Sequence, residues 1–257
     1  MTNAQRPSRH TQINRLLACV GLVAWSALAG AADLVVAHMA PFTGPAAIEA
    51  AEYNAGIRLA IKAANAAGGI NGQQVVLKTA NDEYKPDQAV ALFRQLAAEN
   101  TIATLLPVGS PAMGLILKEG LPETLKLPII GLIPAAEPFR APLNPYVYHI
   151  RAGDLSQYRK LVEYAQTIGV KRIAVAYADI PFGTAGLAAI EGMLKKQGQN
   201  LVARVALPMA DPARLPEIVD ALARNTPDIV LMVSPAKLAG DFLKVYRAKG
   251  LSAPLAM

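Results

Sequence analysis

The sequence predicts an α/β protein of two lobes, each a parallel sheet flanked by helices. Three observations predict it. Short apolar runs alternate with helix-like stretches from Asp33 onward, the runs are near-continuous, and the alternation forms two successive series. A near-continuous apolar run is the pattern of a strand covered on both faces, and strand–helix–strand order implies right-handed parallel crossovers.

The first series opens with Leu34-Val35-Val36-Ala37-His38, a short apolar strand. After a loop, Ile57, Ala60, Ile61 and Ala64 recur at helical spacing, and Ala66-Ala67-Gly68-Gly69 ends that helix where glycine can turn left-handed. Asn71-Gly72 predicts a tight turn into a strand over Gln74–Thr79. Pro86 opens a helix that runs to about Glu99, proline being well suited to a first turn. Strands are expected at Ile102–Leu106 and Ile129–Ile133, separated by a helix beginning near Pro111, and Tyr146–Ile150 reads as a further extended run. Leu155, Tyr158, Leu161, Val162 and Ala165 then mark an amphipathic helix.

The second series comprises strands Ile173–Tyr177, Leu201–Ala206 and Ile229–Val233, with helices Thr184–Gln197, Pro212–Asn225 and Pro235–Lys249. Leu215, Ile218, Val219 and Leu222 form a regular stripe, and Ser252–Met257 has strand character. The join between the two series falls near Arg151–Asp154, giving one lobe over residues 32–151 and a second over 152–257. Low-complexity segments and short repeats are absent.

Residues 1–31 read as a secretory leader. Arg6, Arg9, His10 and Arg15 form a basic start without acids, Leu16–Leu28 is a 13-residue apolar core, and Ala29-Gly30-Ala31 offers a small-x-small cleavage site. That core falls short of the roughly 20 residues needed to span a bilayer. Cys19 follows Leu16-Leu17-Ala18, but the apolar run comes after the cysteine, against a lipoprotein site. Cleavage after Ala31 would remove the only Cys and the only Trp, Trp25, and so exclude disulfides and thiolate metal sites. The formal charge of +6 would become 22 basic against 19 acidic residues, scattered along the chain, which is no nucleic-acid footprint. With 53% hydrophobic and 17% charged residues, the chain has the composition of a packed protein.

Catalytic patterns are missing: no Walker loop, no GxGxxG after a strand, no HExxH and no GxSxG elbow. His38 and His149 each end an apolar run without a neighbouring acid or nucleophile, the setting of packed or loop-facing residues. Asn81-Asp82-Glu83 reads as a solvated strand-to-helix turn, with Asp82 as a capping residue, because adjacent turn residues cannot all face one ion. Three loops after strands of the first series stand out: Pro41–Pro45, Val108–Pro111 and Ile133–Pro138. They fit two readings. One is a ligand edge, where small residues expose backbone amides at helix N-termini to a carboxylate; the other is simply short βα turns.

The run Gly56-Ile57-Arg58-Leu59-Ala60 through Asn65-Ala66-Ala67-Gly68-Gly69-Ile70-Asn71-Gly72, followed by Asn81-Asp82-Glu83 and Pro86-Asp87-Gln88-Ala89-Val90, carries a family resemblance. So do the Pro41–Pro45 loop and the stretch from Tyr177 to Gly183. These motifs resemble the leucine/isoleucine/valine-binding protein family, of the type I periplasmic binding fold, over essentially the whole chain after the leader. The resemblance implies a non-enzymatic periplasmic receptor that holds a small hydrophobic amino acid or related carboxylate between two lobes. It further implies delivery to the inner-membrane permease of an ABC importer, with no cofactor, metal or nucleic acid. By position, it implies that Ser110 holds the ligand carboxylate, that Ala135 and Ala136 contribute backbone groups, and that Phe182 is an aromatic contact from the second lobe. Thr43 and Tyr53 lie in or near the first loop region.

Two departures accompany it. Ala136 stands where amino-acid binders are expected to carry a threonine hydroxyl. Similar proteins continue for roughly a hundred residues past Met257, completing the second lobe and supplying the acid for an α-ammonium. The expectation is therefore an incomplete second lobe, lower stability than a full-length relative and poor binding. A ligand sensor on the same fold is the alternative reading, and an enzyme on that fold a lesser one.

Overall fold

The computed structural model describes residues 32–44 and 46–257; the leader and its cleavage site lie outside them. The first sheet has five strands: β1 (Leu34–Ala40), β2 (Val75–Asn81), β3 (Ala103–Leu105), β4 (Ile129–Leu132) and β5 (Val147–His149). Their order is β2-β1-β3-β4-β5, all parallel. The second has β6 (Ile173–Ala178), β7 (Ala203–Leu207), β8 (Ile229–Val233) and β9 (Leu255–Ala256), in the order β7-β6-β8-β9, again parallel. Both sheets therefore reverse direction at the same relative place, between their first and third strands.

The helices are α1 (Ala47–Ala66), α2 (Pro86–Ala98), α3 (Ser110–Lys118), α4 (Leu121–Leu125), α5 (Asp154–Thr167), α6 (Pro181–Lys195), α7 (Leu215–Ala223) and α8 (Ala236–Ala248). One face of the first sheet packs Ala37, Met39, Ile129 and Leu132 against Phe93 of α2 and Met113 and Ile116 of α3. The second sheet is covered twice. Val219 and Phe242 press on Ala174 and Met232 from one side, and Val162, Ile190 and Leu194 press on Val175 and Leu231 from the other. Ile229–Val233, read as a strand from its unbroken apolar run, is buried at every position.

Several expectations need correcting. Helix α1 starts at Ala47, well before the periodic stripe, and its buried face runs through Ala50, Asn54 and Ile57 while Ala60 is exposed. The 212–225 helix is a 3-10 turn over Pro212–Arg214 followed by α7, since Pro216 stands in the first turn of α7 and cannot donate a backbone N–H. Asp82 is fully buried and caps no helix; Lys85 precedes α2 without a side-chain cap. The Asn71-Gly72 turn is confirmed. Ile70 and Gln73 exchange backbone hydrogen bonds of 2.8 and 3.0 Å, and both turn residues have positive φ.

Candidate functional site

In an open parallel sheet the loops beyond the carboxyl ends of the strands diverge where the strand order reverses, and a crevice opens there. Here both sheets contribute such a crevice to one cleft. Ala46 and Glu49 follow β1, and Val108, Gly109 and Ser110 follow β3. From the second sheet, Ile180 and Phe182 follow β6, and Ser234 and Pro235 follow β8. Together with Ile133–Ala135 and Arg151 they enclose a cavity of about 330 Å³. A second cavity, of about 530 Å³, adjoins it and shares Ser110, Asp154, Tyr158 and Phe182 with the first.

Ser110 is the first residue of α3, where free backbone N–H groups and the positive end of the helix dipole favour an anion. Gly109 before it has φ 105°, a conformation that side chains rarely adopt, and a Cβ there would lie 3.5 Å from the ring of Tyr84. Tyr84 also lines the smaller cavity. The turn that presents it holds two consecutive left-handed residues, Glu83 and Tyr84, with φ 53° and 62°. Asn81 Oδ1 accepts from the Glu83 N–H at 3.1 Å, and Asp82 Oδ1 accepts from the Tyr84 N–H at 2.9 Å.

Of the charged groups lining the smaller cavity, Glu49 stands in the first turn of α1, and Arg151 and Asp154 sit at the crossover between the sheets. Arg151 donates to the Ile133 carbonyl at 3.3 Å and to Gln157 Oε1 at 2.6 Å, and lies 3.7 Å from Asp154. Burial raises the Asp154 carboxyl above its ordinary range, and Arg151 opposes that rise. Burial likewise raises the Tyr158 hydroxyl, aided by the charge of Asp154. Ser234 is buried, and its hydroxyl makes no hydrogen bond among the described residues.

Of the residues singled out in the sequence, Ser110 and Phe182 line both cavities, Ala135 lines the smaller and Ala136 the larger. Thr43 and Tyr53 lie outside the walls of both. Thr43 Oγ1 accepts from Asn81 Nδ2 at 3.1 Å, and the Tyr53 hydroxyl donates to Glu49 at 3.2 Å, so Tyr53 stands one residue behind the wall. Sequence reasoning placed Arg151 and Asp154 at a join without giving them a role, and missed Tyr84, Tyr158 and Ser234. Their roles arise from bringing two sheets together, which no local pattern encodes. His38 is a packed residue, with Nδ1 3.1 Å from Asn54 Nδ2 and its ring edge-on to Phe42.

A cleft between two parallel sheets, walled at both switch points, defines a two-lobed α/β binding protein. The pattern of the periplasmic binding protein family matches residues 33–257, and the chain belongs to that family. It is 29% identical over 230 residues to Leu/Ile/Val-binding protein homolog 7 of Brucella melitensis, covering 85% of this chain and 56% of that protein. The chain thus spans about half the length of this curated relative. A substrate-binding periplasmic protein from Ralstonia solanacearum superposes with a TM-score of 0.79 at 30% identity, over 87% of this chain and 63% of that one. An ABC-transporter solute-binding protein from R. palustris, crystallised with benzoate, has the same fold, with a TM-score of 0.74 at 18% identity over 87% and 61% of the two chains.

Proposed function

We propose that this chain is the ligand-binding part of a solute importer, exported after cleavage between Ala31 and Ala32, and that it presents a small carboxylate to an ABC permease in the inner membrane. The observation that carries the reading is the placement of Ser110: the first residue of α3, facing a cavity that both sheets enclose. Backbone N–H groups at a helix N-terminus suit a carboxylate, and closure of the second sheet over them would remove that contact from water. Family membership supports the binding role, and the benzoate complex of a same-fold protein supports the carboxylate. The side-chain class is a small hydrophobic amino acid or a related carboxylate.

The test is Ser110→Ala, titrated by calorimetry with L-leucine and with short-chain carboxylates. Loss of one hydrogen bond to a charged group should weaken binding by about 1.5–3 kcal/mol. Unchanged affinity for every carboxylate that binds would reduce Ser110 to a turn residue and remove the main support for the reading.

A further inference from the structure

We propose that the ligand is an aromatic carboxylate whose ring occupies the larger cavity, with its carboxylate at the smaller one. This inference rests on the carboxylate reading above and narrows it. The two cavities share walls at Ser110, Asp154, Tyr158 and Phe182, so a single ligand can occupy both. Their chemistry differs. Arg151 lines the smaller cavity and is the only cation among the described residues that line either one. The unbonded hydroxyl of Ser234 lines the smaller cavity as well. The larger cavity carries the rings of Phe139 and Phe182, and prolines 138 and 181, with Glu137 and Asp154 as its charged groups. Asp154 lines both cavities, and Glu49 faces the smaller as Glu137 faces the larger, so Arg151 is what sets the smaller one apart for an anion, while aromatic walls favour a flat apolar body in offset or edge-on contact. A ligand carboxylate is therefore driven toward Arg151 and its apolar end toward the phenylalanines.

Size and composition agree. At about 530 Å³, the larger cavity is within the range of pockets that enclose drug-sized molecules, well beyond what a branched aliphatic side chain fills. Ala136 lines this larger cavity, presenting a methyl group where the resemblance implies a threonine hydroxyl in amino-acid binders.

The test uses 3-phenylpropionate and isobutyrate as probes of the purified chain, by calorimetry. Ala185, exposed on α6 at the wall of the larger cavity, is replaced by Phe to fill it. Wild-type protein should bind 3-phenylpropionate more tightly than isobutyrate. Ala185→Phe should weaken 3-phenylpropionate by about tenfold or more and leave isobutyrate within about twofold. Ala189→Leu, on the same wall, repeats the test if Ala185→Phe does not melt cooperatively. If both acids bind and the filling variants affect them equally, the ring does not lie in the larger cavity and the inference fails while the carboxylate reading stands. If neither these acids nor L-leucine binds, both fail.

Discussion

Asp82 has no exposed surface, and only one of its carboxylate oxygens is bonded, Oδ1 to the Tyr84 N–H; Oδ2 makes no hydrogen bond among the described residues. Burial pushes its pKa up to about 6, against the opposing pull of that N–H. His38, equally buried, is pushed down to about 4 by burial, a backbone hydrogen bond to Leu106 opposing it. The two groups act on stability with opposite sign. Between its ordinary 3.8 and about 6, folded Asp82 keeps a proton that the unfolded chain has released, so stability falls as pH rises through that window. His38 contributes stability that is fully present above 6.5 and is lost as pH falls toward 4. Each shift corresponds to something on the order of 3 kcal/mol, so the two slopes nearly cancel in mildly acidic solution. Asp82→Asn keeps the acceptor for Tyr84 and removes the charge. It should raise stability at pH 7.5 by about 1–3 kcal/mol, leave it unchanged at pH 4, and expose a steep acid limb as His38 titrates alone. Urea unfolding across pH 4–8 measures this, and an advantage that persists at pH 4 would rule out the buried charge as its source.

At the level of elements, α6 lies unusually close to the strand ends beneath it, and two glycines allow it. A Cβ at Gly183 would run into the backbone carbonyl of Ala178, the last residue of β6. One at Gly186 would come within 2.5 Å of Val233 Cγ1 and 2.8 Å of the Tyr158 hydroxyl. A backbone carbonyl cannot swing aside as a side chain can, so Gly183→Ala must lift the first turn of α6, which carries Phe182. Overpacking of this kind costs about 3 kcal/mol, or roughly 6–12 °C in Tm for a chain of this size. Gly192→Ala is the control: it lies on the same helix with open space at its Cβ, and should be neutral or slightly stabilising. Equal melting of the two variants would show that α6 has room to move.

The elements themselves were legible wherever burial is two-sided, as at Ile229–Val233, or a turn residue is obligatory, as at Asn71-Gly72. They were not where composition is flat. Ala46-Ala47-Ile48-Glu49-Ala50-Ala51 gives almost no contrast between faces, so the first turns of α1 left no stripe, and a buried Asn54 interrupts what stripe there is. The same limit applied to the site. Ser110, Ala135, Ala136 and Phe182, implied by the resemblance, line the cavities, whereas Ser234 shows its isolation only once the second sheet faces the first.

For the whole molecule, the controlling feature is the crossover over residues 150–153, which leads from β5 to α5. It is tied to the loop after β4 by a lattice of backbone acceptors. Arg140 donates to the Arg151 carbonyl at 2.5 Å and to the Ala135 carbonyl at 3.4 Å. The Asp154 N–H bonds Ala135 O at 2.9 Å, and the Leu155 N–H bonds Glu137 Oε1 at 3.3 Å. These bonds tie the start of α5 to the loop after β4, and Phe182 and Ser234 from the second sheet line the same cavity as Ser110 from the first. Pre-organisation of this kind lowers the free-energy cost of closing on a ligand. Arg140→Ala removes the donor to the exposed Arg151 carbonyl, which water can replace, and to the carbonyl of buried Ala135, which keeps the Asp154 N–H, so the fold should lose only about 1 kcal/mol. Closure should suffer more. The ligand-free protein is expected to show a larger radius of gyration by small-angle scattering, the ligand-saturated protein an unchanged one, and affinity for the proposed carboxylate ligand a drop of about threefold to tenfold. Identical scattering and affinity in the two proteins would mean that the crossover keeps its angle without Arg140, and that the alignment of the sheets is set by the packing of α5 on α6 instead.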